Sequence, residues 1–116
     1  MRTKIEACLE VTDAEVATAQ RLRALYREQC AEALDGYDLL VTPTNAFVAP
    51  PDTVDEREIR RSGIRFTYPF DALGWPALAL PCGSAEDGLP ASVQLAAPEG
   101  ADARVLAAGA LLASLV

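Results

Sequence analysis

Ala77-Leu78-Ala79-Leu80 stands between Pro76 and Pro81, and Ala91-Ser92-Val93-Gln94-Leu95-Ala96 follows after Gly83 to Gly88, a segment dense in turn-forming residues. Two short β-forming runs, each bounded by proline or glycine and joined in this way, predict a β-hairpin. Toward the C-terminus, Pro98-Glu99-Gly100 ends the second run and Asp102 places a negative charge where a helix N-terminus favours one. Val105, Ala108, Leu112 and Leu115 then supply the apolar face of a closing helix. Toward the N-terminus, Tyr37-Asp38-Leu39-Leu40-Val41-Thr42 is short and nearly continuous in apolar character, as expected of an interior strand covered on both faces. Pro43 stops it.

Ahead of that strand, Thr12-Asp13-Ala14-Glu15 has the form of a capping box, in which the Thr12 hydroxyl serves a helical N–H and Glu15 reaches back to the cap N–H. Val16, Ala19, Leu22, Tyr26, Cys30 and Ala33 recur every three or four residues behind it, which predicts a long N-terminal helix with one buried face, ended near Gly36 by a left-handed cap. Residues 1–11 form a lead into this helix. Between Thr44 and Phe66 the chain carries Pro50-Pro51 and the mixed-charge stretch Asp52 to Arg61, which suits either a short surface helix or a loop. A loop region over 44–66 with one helical turn is expected, and Arg60-Arg61 read as solvated. The fold class is α/β, with about three strands. So few strands leave sheet edges uncovered, and uncovered edges invite pairing with another chain, either a missing partner segment or a second copy.

The length of 116 residues suits a single compact unit. Apolar residues at 51% and charged residues at 23% resemble a globular chain and argue against disorder. The net charge of −7, without a cluster of Lys and Arg among aromatics, argues against a nucleic-acid partner. No apolar run approaches the roughly 20 residues of a membrane span, and the N-terminus runs into charge where a secretory signal would be apolar, so a cytoplasmic protein without a membrane partner is expected. Cys8, Cys30 and Cys82 are odd in number and far apart, and there is no histidine, so neither a disulfide framework nor a metal site is indicated and no cofactor is expected. Cys82 reads as a small core residue, because nothing near it in sequence would activate a thiol.

From Tyr37 onward three blocks occur in a specific order. They are Tyr37-Asp38-Leu39-Leu40-Val41-Thr42-Pro43-Thr44, then Thr67-Tyr68-Pro69-Phe70-Asp71-Ala72-Leu73-Gly74-Trp75-Pro76-Ala77 continuing to Pro81-Cys82-Gly83, then Gly88-Leu89-Pro90-Ala91-Ser92-Val93-Gln94-Leu95. This order closely resembles the C-terminal region of the amidase signature family, which shows a YD-apolar-TPT strand, a T-x-P-x-N-x-x-G-x-P-A block and a GLP-x-x-x-Q strand. The resemblance covers Thr12 to Val116. It implies a partial amidase-signature fold, in which this stretch supplies the last strands and helices of a mixed sheet.

In that family a Ser nucleophile, a cis-configured Ser and a Lys perform acyl transfer, and they lie upstream of the region matched. A weak alcohol nucleophile needs an adjacent base and preorganised donors. This sequence has one lysine, Lys4, scattered serines at Ser62, Ser84, Ser92 and Ser114, and no glycine/serine-rich loop. The resemblance therefore implies a hydrolase segment that shapes the pocket without catalytic residues of its own. A non-catalytic binding or assembly module derived from the fold is the alternative. The candidate substrate-binding residues are Thr42, Thr44, Asp71, Gly74 and Trp75. For Thr42 and Thr44 an ordinary turn role stands beside substrate contact, and for Asp71 a capping role does. Gly74, with Pro76 and Pro81, is most simply backbone punctuation, and Trp75 walls a pocket or fills the core. Asp71 occupies the motif's Asn position, replacing a neutral donor and acceptor by an acceptor-only anion. Family members acting on glutamine-like side chains often carry an acidic residue three positions before Thr67. Ile64 stands there, which leans toward an apolar or aromatic amide as substrate.

Overall fold

A computed structural model of the chain describes residue 6 and residues 8–115. Lys4, and most of the 1–11 lead around it, lie outside the described residues, as does Val116. Contacts group the chain into two compact units, Met1–Ala33 and Leu34–Val116.

The first unit holds the helix α1, Asp13–Ala33. Its start is the capping box expected from the sequence. Thr12 N donates to Glu15 Oε2 at 2.8 Å and Glu15 N donates to Thr12 Oγ1 at 3.3 Å, so both partners of the box are engaged. No residue of α1 is buried. The apolar stripe is present, yet Leu22 stands 57% and Leu25 48% exposed, which corrects the expectation of a buried face. Periodicity marks the side of a helix that is apolar without supplying the surface that covers it.

In the second unit Gly36 adopts φ +81°, the left-handed turn expected after the helix. Three strands follow, β1 (Leu40–Pro43), β2 (Ala77–Ser84) and β3 (Pro90–Ala96), in the spatial order β1-β3-β2. Both pairings are antiparallel, so the parallel component of a mixed sheet is absent among the described residues. The hairpin of β2 and β3 forms as expected, turning through Asp87 at φ 63° and Gly88 at φ 73°. The interior strand is β3. Among the described residues β1 pairs on one side only, and its Val41 is 58% exposed. A short apolar run does not distinguish an interior strand from an edge one, and here the edge holds. β2 continues through Pro81, the residue expected to end it, but its register with β3 slips between Pro81 and Ser84. Cys82 lies in that irregular stretch and is exposed, not part of the core.

The helix α4 (Asp102–Ala113) packs on β2 and β3. Val105, Leu95 and Ala97 are buried together, with Leu39, Leu78, Leu80, Ala108 and Leu112 packed around them. Burying a Leu or Val side chain contributes about 1.5–3 kcal/mol, so this cluster carries much of the unit's stability. Gly109 is buried against the Leu78 side chain, which occupies the space a Cβ would need, and this allows the close approach of helix to sheet. The helix face expected to reach Leu115 stops at Leu112, since Leu115 is exposed. Arg104 joins the helix to the segment ahead of β1, its Nη1 lying 3.5 Å from Asp38 Oδ1.

The region 44–66 contains more than a helical turn. The helix α2, Glu56–Gly63, is capped by Asp55, whose carboxylate accepts from Arg57 N at 2.9 Å. Glu56 and Glu58 sit in its first turn and Arg60 and Arg61 in its last, the order that suits the helix dipole. A second short helix, α3 (Tyr68–Leu73), goes beyond the elements expected from the sequence.

Candidate functional site

The order of the three blocks becomes local geometry at the end of β1. Thr42 is paired across the ladder with Gln94, and Pro43 with Val93. Pairing runs one residue past the strand, because Thr44 N donates to Ser92 O at 3.2 Å. Thr42 and Thr44 are both half-buried. The Thr44 hydroxyl oxygen is fully hidden and has no hydrogen-bond partner, an arrangement that costs about 1–3 kcal/mol. A cleft of about 420 Å³ opens next to it, lined among others by Pro43, Asn45, Phe47, Pro90 and Ser92. That lining is apolar with neutral polar groups.

The second block folds as α3. Pro69 lies in its first turn, where the missing N–H is no loss, and Gly74 ends it at φ 71°, ψ 30° with its N–H donating to Phe70 O at 2.8 Å. Phe70, Leu73 and Trp75 are buried, so Trp75 fills core. Asp71 is exposed in the first turn of α3, and its carboxylate forms no hydrogen bond or ion pair among the described residues. No side-chain bond from it caps the turn before Gly74, whose N–H goes to Phe70 O.

Gln94 joins the two blocks; it is the Gln of the third block's pattern, but is not among the candidate site residues. It is the buried polar residue of β3, 4% exposed. Its Nε2 donates to Phe66 O at 2.9 Å and to Thr42 Oγ1 at 3.3 Å. One side chain thus holds the end of β1 to the segment that leads into α3, through two partly buried bonds. The signal in the sequence is its place as the polar Gln of the GLP-x-x-x-Q pattern, between Val93 and Leu95.

Among the described residues no group of three or more His, Cys, Asp and Glu is placed to hold a metal ion. Of the serines, Ser114 is a helix-end residue whose Oγ donates to Leu111 O at 2.6 Å. No helix of the described residues is long and apolar enough to cross a membrane.

The arrangement is a three-stranded antiparallel sheet with a helix packed on it, and comparison with known proteins says to which family it belongs. The family model described as Amidase matches residues 1–106. A glutamyl-tRNA(Gln) amidotransferase subunit from Salinispora tropica is 37% identical over 107 residues, which are 90% of this chain and 21% of that protein. The corresponding protein from Acaryochloris marina is 38% identical over 72% of this chain and 18% of its own length. Among solved structures, one described as an amidase superposes with a TM-score of 0.88 at 32% identity, covering 99% of this chain and 28% of that one. The glutamyl-tRNA(Gln) amidotransferase subunit from Thermotoga maritima gives 0.67 at 28% identity, over 90% of this chain and 23% of its own. The chain belongs to the amidase signature family. It spans about a fifth of the length of the curated relatives it matches, and its fold is a partial amidase fold.

Proposed function

We propose that this chain is the C-terminal portion of an amidase-signature hydrolase and contributes wall and scaffold to a pocket in which an amide C–N bond is cleaved. The observation that carries the reading is the superposition of nearly the whole chain on just over a quarter of an amidase structure. Thr42, Thr44, Asp71, Gly74 and Trp75 are the pocket residues in this reading. Thr42 offers a hydroxyl at the end of β1, Thr44 stands two residues on with its hydroxyl oxygen hidden, Asp71 offers an exposed carboxylate, Gly74 ends α3, and the buried Trp75 backs it. The nucleophilic Ser, the cis-configured Ser and the Lys belong to a partner segment, the substrate is an apolar or aromatic amide, and the enzyme works in the cytoplasm.

The test is reconstitution. The chain is co-expressed with an amidase-signature segment that carries the Ser-Ser-Lys set, and hydrolysis of an aryl amide is followed. Activity is expected only from the pair. Hydrolysis by the chain alone that survives alanine substitution at Ser62, Ser84, Ser92 and Ser114 would overturn the reading.

A second reading, a non-catalytic binding or assembly module, is favoured by one observation. Val41 on the edge strand, Leu106 and Leu111 on α4 are large apolar side chains left more than half exposed. Surfaces of this kind mark contact with a partner, either the remaining amidase fold or a second copy. A stable self-associated species, shown by sedimentation, with no response to an added catalytic segment would favour the module.

A further inference from the structure

Four of the chain's ten basic residues, Arg57, Arg60, Arg61 and Arg65, are gathered around α2, although the chain as a whole carries a net charge of −7. Ile64 N donates to Arg60 O at 3.1 Å and Tyr68 N donates to Ile64 O at 2.9 Å, so the path of α2 runs on toward α3 one turn at a time. Arg60, Ile64 and Tyr68 therefore follow one another along one side, and Arg57, Arg61 and Arg65 make the neighbouring row. All six side chains are exposed, Tyr68 at 61% and Ile64 at 42%. Arg60 is engaged in part by Glu56, 3.5 Å away. Arg57 and Arg61 have no ion pair among the described residues. The Arg65 guanidinium lies 5.6 Å from the centre of the Phe66 ring, a contact that orders it and leaves its charge in place.

We infer that this face of α2 and α3 docks a protein partner through an acidic amphipathic helix, whose carboxylates meet Arg57, Arg61 and Arg65 and whose apolar side chains meet Ile64 and Tyr68. The guanidinium fork pairs with a carboxylate through two hydrogen bonds, and Arg and Tyr are the residue types that carry binding energy at interfaces. Arginines spaced four apart rise about 6 Å at each step, which is the spacing of carboxylates one turn apart on a facing helix. A nucleic-acid backbone fits the face less well. Asp52, Asp55, Glu56 and Glu58 precede the row on the same segment, and evenly spaced phosphates laid along it would be carried past them. A protein places its carboxylates only where the arginines stand. None of these residues belongs to the pocket of the proposed hydrolase, so face and pocket are tested separately.

The experiment is a titration of the isotope-labelled chain followed by backbone amide NMR, with a peptide of Glu-Ala-Ala-Leu repeats as probe and oligothymidylate of equal charge as its counterpart. The peptide is expected to give saturable shifts confined to the stretch from Arg57 to Tyr68, and to bind more weakly as salt is raised. Arg57→Gln combined with Arg61→Gln should weaken the peptide about three- to tenfold. Tyr68→Ala, which leaves the charge unchanged, should weaken it about fivefold. Arg21→Gln, which removes a positive charge from α1, should leave binding unchanged. Absence of a saturable shift, or tighter binding of oligothymidylate than of the peptide by the unsubstituted chain, overturns the inference without recourse to any variant. Shifts over the same stretch that follow the concentration of the chain alone would give the face to a second copy and overturn it too. A loss from Arg21→Gln equal to that from Arg61→Gln would reduce the binding to net charge, with the same consequence.

Discussion

α1 and α4 are both amphipathic in sequence, and they are stabilised by different means. α4 buries Val105 and Gly109 against a sheet, so its helical state is tied to the core of its unit. α1 is longer, with 21 residues, and buries none of them. What fixes its start is local, the reciprocal bonds between Thr12 and Glu15. The contrast teaches that periodicity specifies an apolar face, whereas stability requires the surface that meets it.

The largest test of that contrast compares two leucines. Leu95→Ala, under α4, should cost about 2–5 kcal/mol in chemical denaturation, because it removes transfer energy and leaves a cavity. Leu22→Ala on α1, more than half exposed, should change stability by no more than about 0.5 kcal/mol. Equal effects would show that α1 is packed as α4 is. Next in size is Gly109→Val. The Leu78 side chain must move to admit it, and the expected loss is about 1–3 kcal/mol. Gly109→Ala should lose less, since alanine recovers about 1 kcal/mol of helix propensity. An unchanged midpoint for the valine variant would show that the contact of α4 with β2 is loose.

The capping box, the hairpin and the closing helix are legible because their signals are local, in Thr12 with Glu15, in the glycines between the strands, and in Asp102 before an apolar periodicity. The place of β1 in the sheet is not legible, because its apolar run carries no information about which neighbours are present. α3 escapes the sequence patterns although Thr67, Pro69 and Gly74 carry the start and stop signals of a short helix, since the same residues serve equally well as punctuation between strands. For the site, the blocks point to Thr42, Thr44, Asp71, Gly74 and Trp75, and the fold adds the join from Thr42 through Gln94 to Phe66. Gln94 sits 52 residues from Thr42 and 28 from Phe66, so its bridging bonds depend on tertiary structure that no local pattern encodes.

The smallest effects belong to the start of α1. Thr12→Ala should cost about 0.5–2 kcal/mol of helix stability, read as lost helical circular dichroism and faster amide exchange over the first turn, with α4 unaffected. The Glu15 carboxylate is held below its usual range, first by the Thr12 backbone N–H and then by the Thr12 hydroxyl. A carboxyl whose folded value is depressed contributes stability that is fully present above its unfolded value and is lost as pH falls through the folded one. Helicity of the first turns of α1 should therefore hold at neutral pH and decline as the medium is acidified below the ordinary carboxylate range. Glu15→Gln keeps an oxygen that accepts from Thr12 N but cannot titrate, so it should flatten that decline. If the decline persists in Glu15→Gln, the acid sensitivity of α1 comes from its other carboxylates and the capping box contributes none of it.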